Sequence, residues 1–298
     1  MIPSRMGVVP LFLAPTLIWG STWLAITFQL GVVAPEASVA YRFALAAVLI
    51  AGGCVATGRS LRFSLRHHAL FATQGTLFFG LNYIAIYRAE QYATSGLVAV
   101  LFSTIVIMSL VGTRLAFGTP ITGRALIGAV LGVGGVALVF LPELSSMGAD
   151  GSNALGIAYA LGGTLIATGG NLVSMRMQRV HLPIIETTAW GMGYGALVAA
   201  FVVTLGGVAW SFYLRPGYLA SLAYLTVFGS IAAFLTYLTL LKRVGAGPAS
   251  YVGVTTPVVA MLISTVFEDY RWSLPGVVGV ALAVAGNVLV LRRPPTRG

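Results

Sequence analysis

The stretch SLPGVVGVALAVAGNVLVLRR, residues 273–293, decides the fold class of this chain. Residues 273–291 carry no charged side chain, and Arg292 and Arg293 follow them directly. A helix rises about 1.5 Å per residue, so roughly 20 apolar residues cross a hydrocarbon layer about 30 Å thick. Arginine beside a span is retained on the cytoplasmic side during insertion. The stretch therefore predicts a membrane-spanning helix that ends at the cytoplasm.

Nine more apolar blocks of similar length precede this one, and the gaps between them are short. Proline and glycine mark many of the gaps, as at Pro35, Pro120 and Pro216. The predicted helices lie at 9–31, 36–57, 69–89, 92–113, 121–141, 154–175, 183–205, 218–241, 248–267 and 273–291. We therefore predict an all-α integral membrane protein with ten transmembrane helices.

The composition excludes a soluble protein. Apolar residues make up 58% of the chain and charged residues 8%, whereas soluble domains contain about 25% charged residues. A net charge of +10 would suggest nucleic acid in a soluble protein, but a basic strip along one membrane face explains it better here. The expected partners are membrane lipid and a small-molecule substrate, with no nucleic acid and no obligatory protein partner.

The charges between the spans predict the orientation. With the N-terminus in the cytoplasm, thirteen of the seventeen basic residues fall in cytoplasmic segments, and six of the seven acidic residues fall on the other side. The acidic exception is Glu186, and Arg42 lies just inside the second span. Removing one span would invert every later segment, so this bias supports ten spans with both termini in the cytoplasm.

A weak internal repeat divides the chain into halves, 1–148 and 149–298. At an offset of 154, Gly75 aligns with Gly229, and at an offset of 151, Gly128 aligns with Gly279. Because five crossings end on the opposite side, two five-helix halves must run in opposite directions. Inverted repeats are common in secondary transporters, where the substrate binds near the midplane between the halves.

Four short motifs carry a family resemblance over the whole chain. They are WGST at 19–22, YRF at 41–43, GPAS at 247–250, and Pro257 followed eleven residues later by Glu268. With these motifs the chain resembles the ten-helix EamA-type branch of the drug/metabolite transporter superfamily, and within it the bacterial aromatic amino acid exporters. The resemblance implies a bacterial inner-membrane exporter of amino acids or related metabolites that works by alternating access. In the first half, Ser103 and Arg114 replace the counterparts of Pro257 and Glu268.

The sequence predicts no catalytic site, no metal site and no cofactor. Lys242 is its only lysine and stands outside any phosphate-binding motif, so we predict no ATPase and no enzyme. His67, His68 and His181 lack metal-ligand spacing. Every Asp and Glu falls near a span end or in a loop, so we expect neither a carboxylate proton relay nor a fixed counter-charge for cations. A neutral or zwitterionic, partly apolar substrate fits better.

Polar and aromatic side chains at mid-membrane form the candidate site. Thr164, Thr168 and Asn171 share one helix face at spacings of i, i+4 and i+7, and the third helix carries a comparable stripe. The predicted substrate-binding residues are Trp19, Gln74, Phe78, Asn82, Tyr83, Ser103, Thr164, Thr168, Asn171, Trp190, Tyr237 and Tyr251. The alternative role of the polar ones is interhelical hydrogen bonding, and that of the aromatic ones is core packing or interfacial anchoring.

Arg42 and Pro257 are the predicted gating residues. Arg42 has a structural alternative, because its side chain could extend to the outer surface or pair with Glu36 or Glu268. As a functional residue it would bind a substrate carboxylate or form an outer gate pair. Pro257 would let the ninth helix flex as the halves rock.

Small residues in two helices predict a tight helix pair. Gly128 and Gly132 in the fifth helix, and Gly279 and Ala283 in the tenth, follow the small-xxx-small pattern. We assign these residues no substrate contact.

The substrate itself is left open by the sequence. Other cargo of the same superfamily, such as drugs, nucleotide-sugars or further metabolites, is an alternative, although doubly charged phosphates would need cationic partners that the core lacks. A non-transporting membrane scaffold or a passive channel is a second alternative.

Overall fold

The computed structural model describes residues 6–31, 33–93, 98, 101–139, 141, 151–267 and 272–291, and within them all regular structure is helical. We number the helices α1 Val8–Thr27, α2 Pro35–Ala56, α3 Leu65–Tyr92, α4 Leu101–Phe117, α5 Gly123–Val139, α6 Gly151–Arg179, α7 Ile184–Leu205, α8 Pro216–Val244, α9 Val252–Phe267 and α10 Leu274–Leu291. A single helical turn, Ala246–Ala249, precedes α9.

Helix length and surface both fit a lipid environment. Among the described residues, seven helical stretches are long and apolar enough to cross a membrane: α1, α2, α3, α6, α7, α8 and Ala246–Ile263, which combines the single turn with most of α9. Helices α4, α5 and α10 contain shorter apolar stretches. Large apolar side chains point away from the bundle, with Val48 69%, Leu165 62% and Leu197 65% exposed. In water such surfaces would be costly, whereas lipid tails cover them. The predicted all-α membrane class is therefore confirmed.

Several predicted helix ends are wrong by about one turn. The third helix starts at Leu65 rather than at 69 and continues to Tyr92, so the predicted start of the fourth helix at 92 falls inside α3. The sixth helix continues to Arg179 rather than 175. In each case charged or polar residues extend the helix beyond its apolar section. The backbone hydrogen bonds of the helix continue where the chain passes out of the hydrocarbon layer, so the helix is longer than the apolar block.

Two helices contain wide, π-helical segments that the sequence did not predict. They are Gly75–Leu81 within α3 and Leu225–Ala232 within α8. In a π-helix each N–H bonds five residues back, which shifts the faces of the helix and often occurs at functional sites. Both segments contain glycine, and Gly75 and Gly80 let α3 approach α7 closely.

The helices pack around a central space. Helix α2 packs on α7, and α5 packs on α10. Helix α1 lies against α8 and α9, while α6 lies against α3 and α4.

The predicted small-residue pair is confirmed, because a Cβ on Gly135 of α5 would lie 2.5 Å from the Gly279 carbonyl oxygen of α10.

Ion pairs mark the two ends of the bundle. Arg88 Nε lies 2.6 Å from Glu36 Oε1, and we call this the Glu36 end. Arg59 Nη1 lies 3.0 Å from Glu186 Oε1 at the other end, which we call the Arg59 end. Both carboxylates are almost fully buried, so their partners neutralise charges that would otherwise be costly there.

Candidate functional site

A cavity of about 90 Å³ lies in the middle of the bundle, between α1, α3, α4, α6, α8 and the start of α9. Its wall is mostly aromatic and aliphatic with a few polar groups, which is typical of small-molecule sites. The lining residues are Trp19, Thr22, Trp23, Ile26, Phe78, Asn82, Tyr83, Ile86, Phe102, Ile105, Asn171, Phe234, Tyr237, Ser250, Gly253, Thr256 and Pro257.

Trp19 is fixed in the wall by three contacts to α8. Its indole N–H donates to the Gly229 carbonyl oxygen at 3.0 Å. Its ring centroid lies 5.0 Å from that of Phe234 and 5.2 Å from that of Tyr237, at steep angles that suit aromatic quadrupoles. Gly229 lies in the π-helical segment of α8, so the altered backbone of that segment presents the carbonyl to α1.

Two amides give the wall its hydrogen-bonding capacity. The Asn171 side-chain oxygen accepts from the Tyr237 hydroxyl at 3.0 Å, but its Nδ2 is buried without a partner. Asn82 Nδ2 reaches only the Phe78 carbonyl oxygen of its own helix at 3.4 Å, and its Oδ1 is also buried and unpartnered. The indole N–H of the lining residue Trp23 is also buried without a partner, so among the described residues the wall holds two unused donors and one unused acceptor that a polar ligand could satisfy.

Arg42 lies behind the cavity wall and is fully buried. Its Nε donates to Ser230 Oγ at 2.8 Å, which connects α2 to α8, and Nη1 lies 3.5 Å from the Tyr87 hydroxyl. The guanidinium group packs over the ring of Tyr83, 4.8 Å from its centroid, and over Phe43 at 5.3 Å. These contacts hold the cation by ring faces and neutral oxygens.

No carboxylate of the described residues neutralises Arg42, and its Nη2 has no hydrogen-bond partner. Two of the structural alternatives for Arg42, extension to the surface and pairing with Glu36, are wrong. The side chain does not reach the surface, and Glu36 pairs with Arg88 instead, because Arg88 emerges beside it from α3. Glu268 lies outside the described residues.

Six of the twelve predicted substrate-binding residues line the cavity, together with the predicted gating residue Pro257. The six are Trp19, Phe78, Asn82, Tyr83, Asn171 and Tyr237. The other six lie elsewhere in the bundle; they are Gln74, Ser103, Thr164, Thr168, Trp190 and Tyr251. The contacts of these residues show what holds them away from the cavity.

Three of the buried polar residues outside the wall donate hydrogen bonds to another helix or to their own helix. Gln74 Nε2 donates to Ser174 Oγ at 2.7 Å, between α3 and α6. Thr164 and Thr168 donate to carbonyl oxygens four residues back in α6, the common use of threonine in a membrane helix. Ser103 is buried but does not line the cavity.

The two aromatic residues outside the wall hold the Arg59 end together. The Trp190 indole N–H donates to the Leu61 carbonyl oxygen at 3.1 Å, and its ring packs on His68 at 4.5 Å. The Tyr251 hydroxyl donates to the Ala125 carbonyl oxygen at 2.7 Å, which connects the start of α9 to α5. Both contacts are structural.

Several lining residues were missed by the sequence analysis. Thr22, Trp23 and Ile26 follow Trp19 at helical spacing on α1, so the periodicity of that helix was the available signal. Thr256 lies next to Pro257 in α9. Phe102 and Ile105 of α4 carry no polar atom that would distinguish them from lipid-facing residues.

A multi-pass helical bundle that encloses an aromatic cavity beside a buried, unneutralised arginine has the architecture of a membrane protein that handles small molecules. Residues 6–141 and 154–292 each match the sequence profile of the EamA-like transporter family. The chain belongs to the EamA-like transporter family.

Similar proteins agree with this membership. The chain is 28% identical over 306 residues to the uncharacterized inner membrane transporter YedA of Escherichia coli strain K12, covering 96% of this chain and 94% of the relative. It is 23% identical to the uncharacterized transporter YoaV of Bacillus subtilis strain 168, with 96% of each chain covered. A crystal structure with 19% sequence identity superposes with a TM-score of 0.78 over 97% of each chain, which shows a shared fold.

Proposed function

We propose that this transporter is an inner-membrane secondary carrier that exports amino acids, aromatic ones in particular, by alternating access. The observation that carries the proposal is the central cavity, whose wall combines aromatic rings with an unused amide donor and an unused amide acceptor. Aromatic rings in the wall would stack on a flat substrate side chain, at about 0.5–1.5 kcal/mol per ring pair. The amides and Arg42 would receive the polar end.

Arg42 is the proposed gate and carboxylate-binding residue. Its bond to Ser230 joins the first half of the chain to the second, so the halves cannot separate at the Glu36 end without breaking it. A substrate carboxylate would replace the neutral oxygens around the guanidinium by a charged partner, and charge-assisted hydrogen bonds are the stronger ones. Binding and opening are therefore coupled through one side chain.

Three features support ten spans arranged as inverted halves, 1–148 and 149–298. Helices five positions apart make equivalent contacts, since α3 packs on α6 as α8 packs on α1, and α4 packs on α6 as α9 packs on α1. The π-helical segments also lie in α3 and α8, again five helices apart. The family profile matches each half separately. A pseudo-twofold arrangement lets one small rocking motion open either side.

The orientation follows from the charges at the two ends. Basic residues of the described chain concentrate at the Arg59 end; they are Arg59, Arg62, Arg66, Arg114, Arg124, Arg176, Arg179, Lys242 and Arg243. Positive residues favour the cytoplasmic side, so the Arg59 end would face the cytoplasm, with both termini there. The Glu36 end, with Arg42, would then face outward.

Counterflow in proteoliposomes tests the proposal. Vesicles loaded with an unlabelled amino acid should transiently accumulate the labelled one, and phenylalanine, tyrosine or tryptophan should give the highest rates. Saturation of this exchange separates a carrier from a channel or a scaffold. A screen in which nucleosides or aromatic cations exchange while every amino acid fails would contradict the cargo assignment and keep the carrier.

Trp19→Ala should lower amino acid counterflow by about tenfold or more, because substrate stacking on this ring and its contacts with Phe234 and Tyr237 are lost. The amount of folded protein should stay near that of the wild type. Trp210→Ala is the matched control, because it removes an indole that is 48% exposed and lies far from Trp19 in the sequence. This variant should transport normally. Normal transport by the Trp19 variant would place the substrate elsewhere.

A further inference from the structure

Glu90 has a buried carboxylate to which the proposed substrate cavity assigns no role. It lies in the last turn of α3, on the face that carries Asn82 and Ile86 at i−8 and i−4, one helical turn beyond the lining residue Ile86. Both of its carboxylate oxygens are closed to solvent, and neither has a hydrogen-bond partner. The other described buried carboxylates, Glu36 and Glu186, each have an arginine.

The charged and titratable groups around Glu90 are already engaged elsewhere. On its own helix, the Tyr87 hydroxyl donates to Gln29 Oε1 at 3.1 Å, and Arg88 pairs with Glu36. From α2, Arg42 reaches Tyr87 and not Glu90.

The described residues of α6 and α1 that contact this end of α3 include no cation. Helix α6 supplies Tyr159, which stacks on Tyr92. Helix α1 supplies Trp23, which packs in the cluster of Ile86 and Ala89 and whose indole N–H is itself unpartnered. Among the described residues, therefore, nothing neutralises a negative charge on Glu90.

An unpaired carboxylate in such surroundings is costly, and neutralising the group removes the cost. A metal cation of the alkali or alkaline-earth series would need several oxygen ligands, and the described residues named above supply no second carboxylate that is free to join Glu90. A proton needs only the carboxylate. An organic ammonium group, with its three donors, is the other cation that one carboxylate can bind well.

We propose that Glu90 binds a proton and the substrate's ammonium group in turn, so that export of one amino acid is exchanged for entry of one proton. The inference rests on the proposed function and supplies its energy source and part of its specificity. It replaces the sequence-based expectation that no carboxylate relays protons.

The exchange balances in atoms and charge. When the cavity opens to the cytoplasm, the Glu90 acid releases its proton to water, and the carboxylate pairs with the ammonium group of the entering amino acid. When the cavity opens outward, the amino acid leaves and the carboxylate takes up a proton from outside. The substrate is a neutral zwitterion, so each cycle moves one positive charge inward and uses both the pH gradient and the membrane potential.

Infrared spectroscopy of the purified protein tests the proton without any transport. The carbonyl stretching band of a protonated carboxylic acid should be present in the wild type near neutral pH and absent from Glu90→Gln. Glu186→Gln, which removes a carboxylate paired with Arg59, is the control and should keep the band. Identical bands in the wild type and Glu90→Gln overturn the proposal.

Proteoliposomes with an internal pH dye test the coupling. Outward amino acid flux should drive protons inward in the wild type and in Glu90→Asp, while Glu90→Gln should exchange amino acids without proton movement and with an affinity about tenfold lower. Wild-type proton movement by Glu90→Gln, or accumulation driven by sodium instead of protons, overturns the proposal. If no amino acid exchanges at all, the proposed function fails, and the infrared result still decides whether Glu90 carries a proton.

Discussion

Replacing Gly128 by leucine should lower the melting temperature and reduce the yield of folded protein. A Cβ at this position would meet the Val290 side chain, and would lie 2.9 Å from the Gly286 carbonyl oxygen and 3.1 Å from the Tyr251 hydroxyl. Backbone atoms cannot move aside as a flexible side chain can, so α5 and α10 would have to separate. Overpacking typically costs 1–3 kcal/mol and occasionally more, against about 5–15 kcal/mol for a whole domain.

The measurement is the monodisperse fraction after detergent extraction, together with the melting temperature. Gly134→Leu is the matched control, because Gly134 lies on the same helix with no atom within 4 Å of its would-be Cβ. The control should give wild-type yield, since its leucine points into lipid. Equal yields for the two variants would show that α5 and α10 do not depend on close approach at Gly128.

The fold was predictable because the thickness of the membrane sets the length of each apolar block in the sequence. Each described helix must bury its backbone polar groups and expose apolar side chains to lipid, so apolar blocks and the charges between them reveal the spans. The helix ends were less predictable. Glu90 lies just beyond the predicted end of the third helix at 89, yet α3 continues through it to Tyr92, and both of its carboxylate oxygens are buried there.

The candidate site was only half predictable, and α3 shows the reason. Phe78, Asn82 and Tyr83 reach the cavity, but Gln74 of the same predicted stripe bonds to Ser174. The π-helical segment Gly75–Leu81 begins directly after Gln74 and contains Phe78, and its wider turn rotates the start of the helix away from the face of its end. Regular helical spacing cannot anticipate such a rotation.

Long-range partners were beyond the reach of sequence reasoning. The sequence suggests that Arg42 needs an anion, but only the packing of α2 against α8 reveals Ser230 as its neighbour. In the same way, Glu90 stands near a helix end, where most carboxylates are solvated. The neighbouring residues Ile86 and Ala89 pack in one cluster with Trp23 of α1 and Ala160 of α6, which come from distant parts of the chain.

Arg42→Gln should abolish most amino acid transport while leaving the protein as stable as the wild type, or more stable. Truncating one member of a buried charge pair typically costs 2–5 kcal/mol, so a substrate carboxylate left unpaired would bind about a hundredfold more weakly. The empty protein, however, loses a buried cation that no carboxylate of the described residues neutralises, and such a cation costs free energy to keep. Reduced transport without a reduced melting temperature is therefore the expected pair of results.

Two comparisons separate a binding role from a structural one. Arg42→Lys keeps the charge but loses the planar group that packs over Tyr83, so it should restore part of the transport. Phenethylamine, which has the ring and amine of phenylalanine without the carboxylate, should lose far less affinity in Arg42→Gln than phenylalanine does. Arg215→Gln removes an exposed arginine and should change neither property. Equal losses for the two ligands would mean that Arg42 acts only as a gate, because the carboxylate would then make no contact with it.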